Sequence, residues 1–414
     1  MRTVLFGVLS VMMLTTCGGV AHAKTLKVAP GADAQERLQT ALIDAKPGDV
    51  VQLSSGRYEL SDGLSLDVAN VVVEGAGPGK TILSFDKQKG EAEGLLVTSN
   101  NVTVRDMSIQ NARGNGVKSK GVDRISMVNL VVEWTGGPKA ENGSYGVYPV
   151  TSTNVLIDRV TVRGASDAGI YVGQSKNIVV QNSRAEYNVA GIEIENSFNA
   201  DVHDNVSTHN AGGILVFDLP GLPQMGGHST RVYHNEVVDN DTPNFAPKGN
   251  TVAGVPTGTG IMVMANRDVH VFDNHLDGNA SSGVMLVAYL NTFTDATYNP
   301  LPRDISVHGN HFGRNGYAPV WKGGAELATA LGGTLPPVLW DGITSYPKPD
   351  GQVVAEAVRL SIADGPVVNL ALKLQGTPAT KATPVVTKTL SDGSLAEPAP
   401  VVLAGGQMEM GRAH

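Results

Sequence analysis

Glu193 and Glu195 stand two residues apart in the stretch Ala190-Gly191-Ile192-Glu193-Ile194-Glu195. In an extended strand that spacing sends both carboxylates to one face, about 6.7 Å apart along the chain. Repulsion would raise one pKa above the other and so divide general acid and general base roles, as in an inverting glycosidase. The same hard oxygens could instead hold Ca²⁺, which would neutralise a uronate carboxylate during proton abstraction. The third reading is a solvated strand face without chemistry. Tyr148 and Tyr171 could stack on sugar rings, or one could act as a general acid beside a lysine; packing of adjacent aromatics explains them as well. Lys118 and Lys120 could bind an acidic polymer or supply the base of a β-elimination, but exterior lysines also simply keep a sheet soluble.

What positions these side chains is a repeat. Gly94, Gly116, Gly146, Gly169, Gly191, Gly213, Gly260 and Gly283 each open a short apolar alternation, at spacings of 22, 30, 23, 22, 22, 47 and 23 residues. A period near 22 with two longer intervals is one unit repeated with insertions. Each unit holds three short period-2 alternations separated by Gly or Asn turns, which predicts three strands per coil. The expected fold is all-β: a right-handed, single-stranded parallel β-helix of three parallel sheets. Ile170, Val172, Ile192, Ile194, Ile214 and Val216 point inward at matching offsets. A helix predicted after Asp33, with Glu36 completing a capping box and Leu38, Ala41, Leu42 and Ala45 on one face, would shield the first edge.

Taking the residue after each glycine as inward, the outward residues stack in two columns. One runs Leu96, Lys118, Tyr148, Tyr171, Glu193, Leu215, Met262, Met285; the other runs Thr98, Lys120, Val150, Gly173, Glu195, Phe217, Met264, Val287. Neighbours in a column lie about 4.8 Å apart. Insertions at 135–145, 218–228, 241–259 and 288–303 all border this sheet and make a groove suited to an extended polymer. They bring Lys139, Glu141, Asp218 and His228 toward the glutamates. The candidate catalytic residues are therefore Glu193, Glu195, Tyr171, Tyr148 and Lys118, and the candidate binding residues are Lys120, Lys139, Asp218, His228 and Phe217. The apolar run from Leu215 and Phe217 to Val287 is expected to be covered by the 241–259 and 288–303 loops or by the C-terminal region.

The glycine-led coils, with the stretch from Ala41 through Pro47-Gly48-Asp49-Val50-Val51 to Gly56-Arg57-Tyr58, resemble the pectate-lyase-like superfamily of right-handed parallel β-helix proteins, over roughly residues 25–320. The resemblance implies a carbohydrate partner. It transfers no catalytic residue, because the polygalacturonase, mannuronan epimerase and pectate lyase motifs do not match. A uronate lyase is the leading expectation, ahead of a hydrolase or epimerase; the alternative is a non-catalytic carbohydrate-binding or envelope scaffold.

With 41% hydrophobic and 17% charged residues the chain has ample material for a core, and 49 glycines suit a turn-dense solenoid. A net charge of −8 speaks against nucleic acid as a partner, and an acidic polysaccharide would need a local cationic patch or a metal such as calcium. Residues 1–23 read as a cleaved signal ending Ala21-His22-Ala23, too short to span a membrane, so a periplasmic or secreted protein is expected. Acylation of Cys17, the only cysteine, would instead anchor a lipoprotein. The histidines of 203–311 and the recurrent Asn205, Asn235, Asn274 and Asn310 read as stacking and turn ladders, the asparagines in left-handed turns, rather than metal sites. Domain limits follow: N-terminal cap and first coils 24–90, repeats 91–320, a C-terminal cap or cover 321–375, and a loosely ordered Pro/Ala/Thr/Val-rich tail 376–414.

Overall fold

The computed structural model describes residues 23–90, 93–373 and 384–405; the leader, Cys17 and parts of the tail lie outside them. The alternating apolar residues pair as read. Val147, Ile170, Ile192, Ile214, Ile261, Val284, Val338 and Val367 form one in-register parallel column, fully buried along the solenoid axis. The glycine-led strands form a 12-stranded sheet. Glycine is required where each coil enters it. A Cβ on Gly213 would lie 2.5 Å from the Gly260 carbonyl oxygen, and one on Gly191 2.5 Å from that of Gly213.

The strands of the second and third faces pair each within their own face, and the two faces join into one 20-stranded sheet where three strands serve both. Strands Val102–Gln110, Asp123–Glu133 and Thr153–Arg163 run across the corner without a break. Each bends at one left-handed residue, Asp106, Asn129 or Arg159. Later coils break there but keep a left-handed residue at that corner, Asn182, Asp204, His234 or Asp273, and asparagines form ladders along the corners. The side-chain amides of Asn188, Asn210, Asn240, Asn279 and Asn315 are linked coil to coil at 2.9–3.1 Å. A second ladder joins Asn205, Asn235, Asn274 and Asn310 and ends on Asp364. These four asparagines are not themselves left-handed: Asp204, His234 and Asp273 adopt that geometry just before the first three, as Gly309 does before Asn310. The asparagines serve instead to satisfy buried carbonyls that the corner leaves unpaired.

The ends close differently. Helix Ala34–Asp44 buries Ala34, Leu38 and Leu42 over the first coil. Asp33 makes no cap hydrogen bond, so the expected capping box is not formed; Asp33 pairs with Arg37 at 2.9 Å. At the other end the repeat outlasts residue 320: Val338–Trp340 and Val367–Asn369 add parallel rungs to the glycine-led sheet. Antiparallel strands Val385–Thr387 and Leu390–Ser391 then terminate both ladders, which blocks further edge pairing. The expectation of a loosely ordered tail is corrected for residues 384–405. Glu397 pairs with Arg231, the Val401 N–H donates to Asp201, and Leu403 is buried among Val128, Leu156 and Val179. Composition missed this because its contacts are with residues some 200 positions earlier.

Asn210 shows what the ladder contributes. Its Oδ1 accepts two bonds from Asn188, and its Nδ2 donates to the Ala185 carbonyl and to Asn240. Asn210→Ala is expected to lower unfolding free energy by about 2–4 kcal/mol, because it strands buried partners in both adjacent coils. Urea unfolding with an unchanged m-value checks it.

Candidate active site

The outward columns stack as the spacing predicts, with Lys118 beside Tyr148, Tyr171 beside Glu193, and Glu193 beside Leu215. Apart from Thr98 and Lys120 at their N-terminal ends, they are not exposed. The insertions fold down on the sheet and turn its outer face into a second hydrophobic layer that includes Tyr171, Leu215, Phe217, Met262 and Met285. The expected cover of the apolar stripe is thus present. Its consequence for the glutamates is that the solvated-face reading fails: Glu193 is 1% exposed and Glu195 9%.

A third carboxylate, Asp167, joins them from the turn before strand Ala168–Gly173, and Asp167, Glu193 and Glu195 line one cleft of about 310 Å³ with Tyr145 and loop residues 249–252. The 241–259 loop closes the cleft. Val252 and Val255 bury into the outer layer, and Asn250 Nδ2 donates to Asp167 at 2.7 Å. Tyr145 also hydrogen-bonds Asp167, and its ring packs between Tyr148 and Tyr171 at centroid distances of 4.5 and 4.4 Å. Tyr171 Oη donates to Glu195 Oε1 at 2.7 Å, reaching it across Gly173. A Cβ on Gly173 would lie 2.6 Å from Tyr171 Cζ, so the missing side chain makes room for the ring.

Burial dominates the electrostatics. It raises Glu193 well above the usual carboxylate range, helped by the charges of Asp167 and Glu195; among the described residues no hydrogen bond reaches Glu193 Oε2. Burial pushes Glu195 up to about 7 although the Tyr171 hydroxyl pulls it down, and pushes Asp167 up to about 6 against the Asn250 and Tyr145 bonds. Asp218 also rises to about 6, from burial opposed by the N–H groups of Gly226 and Gly227. Those bonds pin the 218–228 loop shut, so Asp218 organises a wall and adds negative potential to Glu195.

The chain is a right-handed parallel β-helix. Residues 93–242 match the family profile described as the right handed beta helix region. The GH136 lacto-N-biosidase from Eubacterium ramulus superposes with a TM-score of 0.53 at 15% identity, over 72% of this chain and 65% of that one. The alginate lyase from Paenibacillus sp. str. FPU-7 gives 0.48 at 16%, over 70% and 95%. A mannuronan C-5 epimerase A-module from Azotobacter vinelandii gives 0.47 at 18%, over 81% and 84%. At such identities the likeness is one of fold. No curated protein matches the β-helix chain by sequence.

Several expected binding residues lie elsewhere on the β-helix. His228 opens strand His228–Tyr233 of the 20-stranded sheet and stacks on Phe198 at 4.4 Å, because its partner strand lies on the second face. Lys118 is tied to Glu93 at 2.8 Å and lies over the Tyr148 ring at 4.9 Å. It sits three rungs from Glu193, roughly 14 Å at one rung per strand spacing. Lys120 is equally far from Glu195 and exposed, as are Lys139 and Glu141. Phe217, the partner of Glu195, lines a separate apolar cavity. The sequence reading missed Asp167, Tyr145 and Asn250. Tyr145 and Asp167 precede their glycines by one and two residues, so stacking the positions before each glycine would have found both. Asn250 lies in an insertion, where no repeat indexes it.

The raised carboxylates fix the sign of a pH effect. Their folded pKa values exceed the unfolded ones, so the folded state holds extra protons. Stability is then full below about pH 4 and is lost as pH rises through 6 to 7. Glu193→Gln is expected to raise the melting temperature at pH 8, with no gain at pH 4, and to flatten the decline between them. Calorimetry at both pH values checks it; an equal shift at both would trace the effect to packing. Gly173→Ala is expected to displace Tyr171 and destabilise the fold by about 1–3 kcal/mol through overpacking, read by the same scans.

Proposed function

We propose that this β-helix protein hydrolyses a glycosidic bond of a polysaccharide in the cleft over Glu193 and Glu195. The observation that carries the proposal is the convergence of three buried carboxylates with upshifted pKa values on one polar cleft. Glycoside hydrolysis needs a carboxylic acid still protonated near neutrality and a second carboxylate to activate water. Glu193, the most enclosed, keeps its proton and is assigned to the leaving oxygen. Glu195, its charge steadied by the Tyr171 hydroxyl, takes the base role. Asp167 positions both by fastening the Asn250 loop over them. A lacto-N-biosidase shares the fold, which is compatible with this assignment.

Elimination on a uronate, the leading expectation from sequence, needs the sugar carboxylate neutralised, by a cation, a donated hydrogen bond or a proton. Here Lys118 is engaged by Glu93, while Asp167 and Asp218 add negative charge beside the glutamates. The cleft therefore suits a neutral glycan better than an acidic one. Glu193 and Glu195 offer oxygen donors of the kind Ca²⁺ takes; among the described residues no three His, Cys, Asp or Glu side chains form a metal-binding group. The leader read in residues 1–23 supports export to the periplasm or beyond. Among the described residues no helix is long and apolar enough to cross a membrane. The second reading, a non-catalytic carbohydrate-binding protein, is favoured by the near-complete enclosure of Glu193.

A panel of neutral and uronate polysaccharides, followed for reducing ends and for the ultraviolet absorbance of unsaturated ends, separates these readings. Reducing ends without unsaturation are expected, falling by about 10²–10⁴-fold in Glu193→Gln and Glu195→Gln, with no gain on adding Ca²⁺. Unsaturated ends would restore the lyase. Glycan binding without either product would leave the scaffold.

A further inference from the structure

Beyond Glu195 the columns turn apolar, and the cover that the described residues provide over them is incomplete. Phe217, Met262, Met264, Met285 and Val287 floor a cavity of about 330 Å³, within the range of ligand sites. Two observations tie this cavity to the acid cleft: Thr251 lines both, and Phe217 is the strand partner of Glu195. The boundary between them is therefore one rung wide, about 4.8 Å. A ligand with its reacting bond over Glu193 and Glu195 reaches the cavity within a single residue's length.

The lining defines the chemistry of the occupant. Its one carboxylate, Asp341, is consumed by the N–H groups of Ala288 and Ile343 at 2.6 and 3.0 Å, and no Lys, Arg or His joins it. Three methionines make a floor that adapts to a flexible chain. Trp321, at the wall, has a buried indole N–H with no partner among the described residues, a donor that an ester or ether oxygen would satisfy. The mouth is rimmed by Leu290 and Leu372, aliphatic side chains left 55% and 41% exposed.

We propose that this cavity binds an alkyl or acyl chain covalently attached to the sugar, so that the protein acts on a lipid-linked or acylated glycan rather than on a bare polysaccharide. The proposal rests on the acid cleft being the sugar site. The chain enters between Leu290 and Leu372, its linking oxygen meets Trp321, and its methylenes lie along the methionine floor.

The test is calorimetric titration of the full-length protein, as wild type and Glu193→Gln, with octyl and methyl glucopyranoside. Octyl glucoside is expected to bind about 100-fold more tightly, since burying seven further methylenes at even half of their transfer value gives that ratio. Val287→Trp, which fills the cavity, is expected to remove the gain and leave methyl glucoside binding unchanged; Met264→Trp replaces it should that variant not fold. The wild-type ratio needs neither. Equal affinities for the two glucosides would overturn the proposal. So would a gain that survives in a folded Val287→Trp protein, or octanol binding that sugar neither improves nor displaces. Chain binding seen only after deletion of residues 374–383 would assign the cavity to this chain's own segment and overturn it too. An octyl preference without any Glu193-dependent hydrolysis would sink the hydrolase reading and keep the cavity as a glycolipid-binding site.

Discussion

Everything in this molecule depends on the in-register parallel ladder. Once each coil hydrogen-bonds to the next at strand spacing, a residue repeats its environment in every rung. Apolar positions then add into a continuous core, but so do the corners, each of which leaves a carbonyl without a ladder partner. Two asparagine stacks supply that partner coil after coil, and their amides in turn satisfy one another. An asparagine does this because it carries a donor and an acceptor at one end of a short stem. Aspartate ends one stack at Asp364, where only acceptance is needed.

The same ladder dictates where the chain is free to vary. Outward positions on the glycine-led sheet are not needed for the core, and insertions at strand ends do not disturb the register. The insertions then do what an exposed apolar strip demands and cover it, producing a second layer outside the solenoid. Covering the strip also encloses the glutamates that share its columns. Their upshifted pKa values are thus a by-product of hiding methionine and phenylalanine nearby; Tyr171 steadies Glu195 with a hydrogen bond, while Tyr145 and Asn250 bond the third carboxylate, Asp167. Stability lost at high pH is the counterpart of a cleft able to hold a proton at neutrality.

Periodicity made the fold legible: the glycine spacing placed the coils, the strand faces and both outward columns. It could not show that two faces merge, since left-handed residues at Asp106, Asn129 and Arg159 carry no common sequence mark. Nor could it see burial imposed from outside the repeat, which is why Glu193 and Glu195 read as groove floor. His228 was misplaced for a related reason. The loop it closes ends on the neighbouring face, so proximity in sequence did not become proximity to the glutamates. Asn250 and the 384–405 segment act through contacts with residues far away in the chain, for which one sequence offers no index.

Read along the axis, the outward columns change character in a fixed order: lysine, tyrosine, glutamate, then leucine, phenylalanine and methionine. A ladder imposes spacing but not this order. Were the outer face only a surface to be kept soluble, charges would be scattered along it. Were it only a second core, carboxylates would be excluded from its middle, where burying them costs stability. Neither economy accounts for two glutamates set between an aromatic cluster and an apolar cavity, with a loop fastened over them through a third carboxylate. A ligand polar at one end and apolar at the other, lying along the axis, does account for that order.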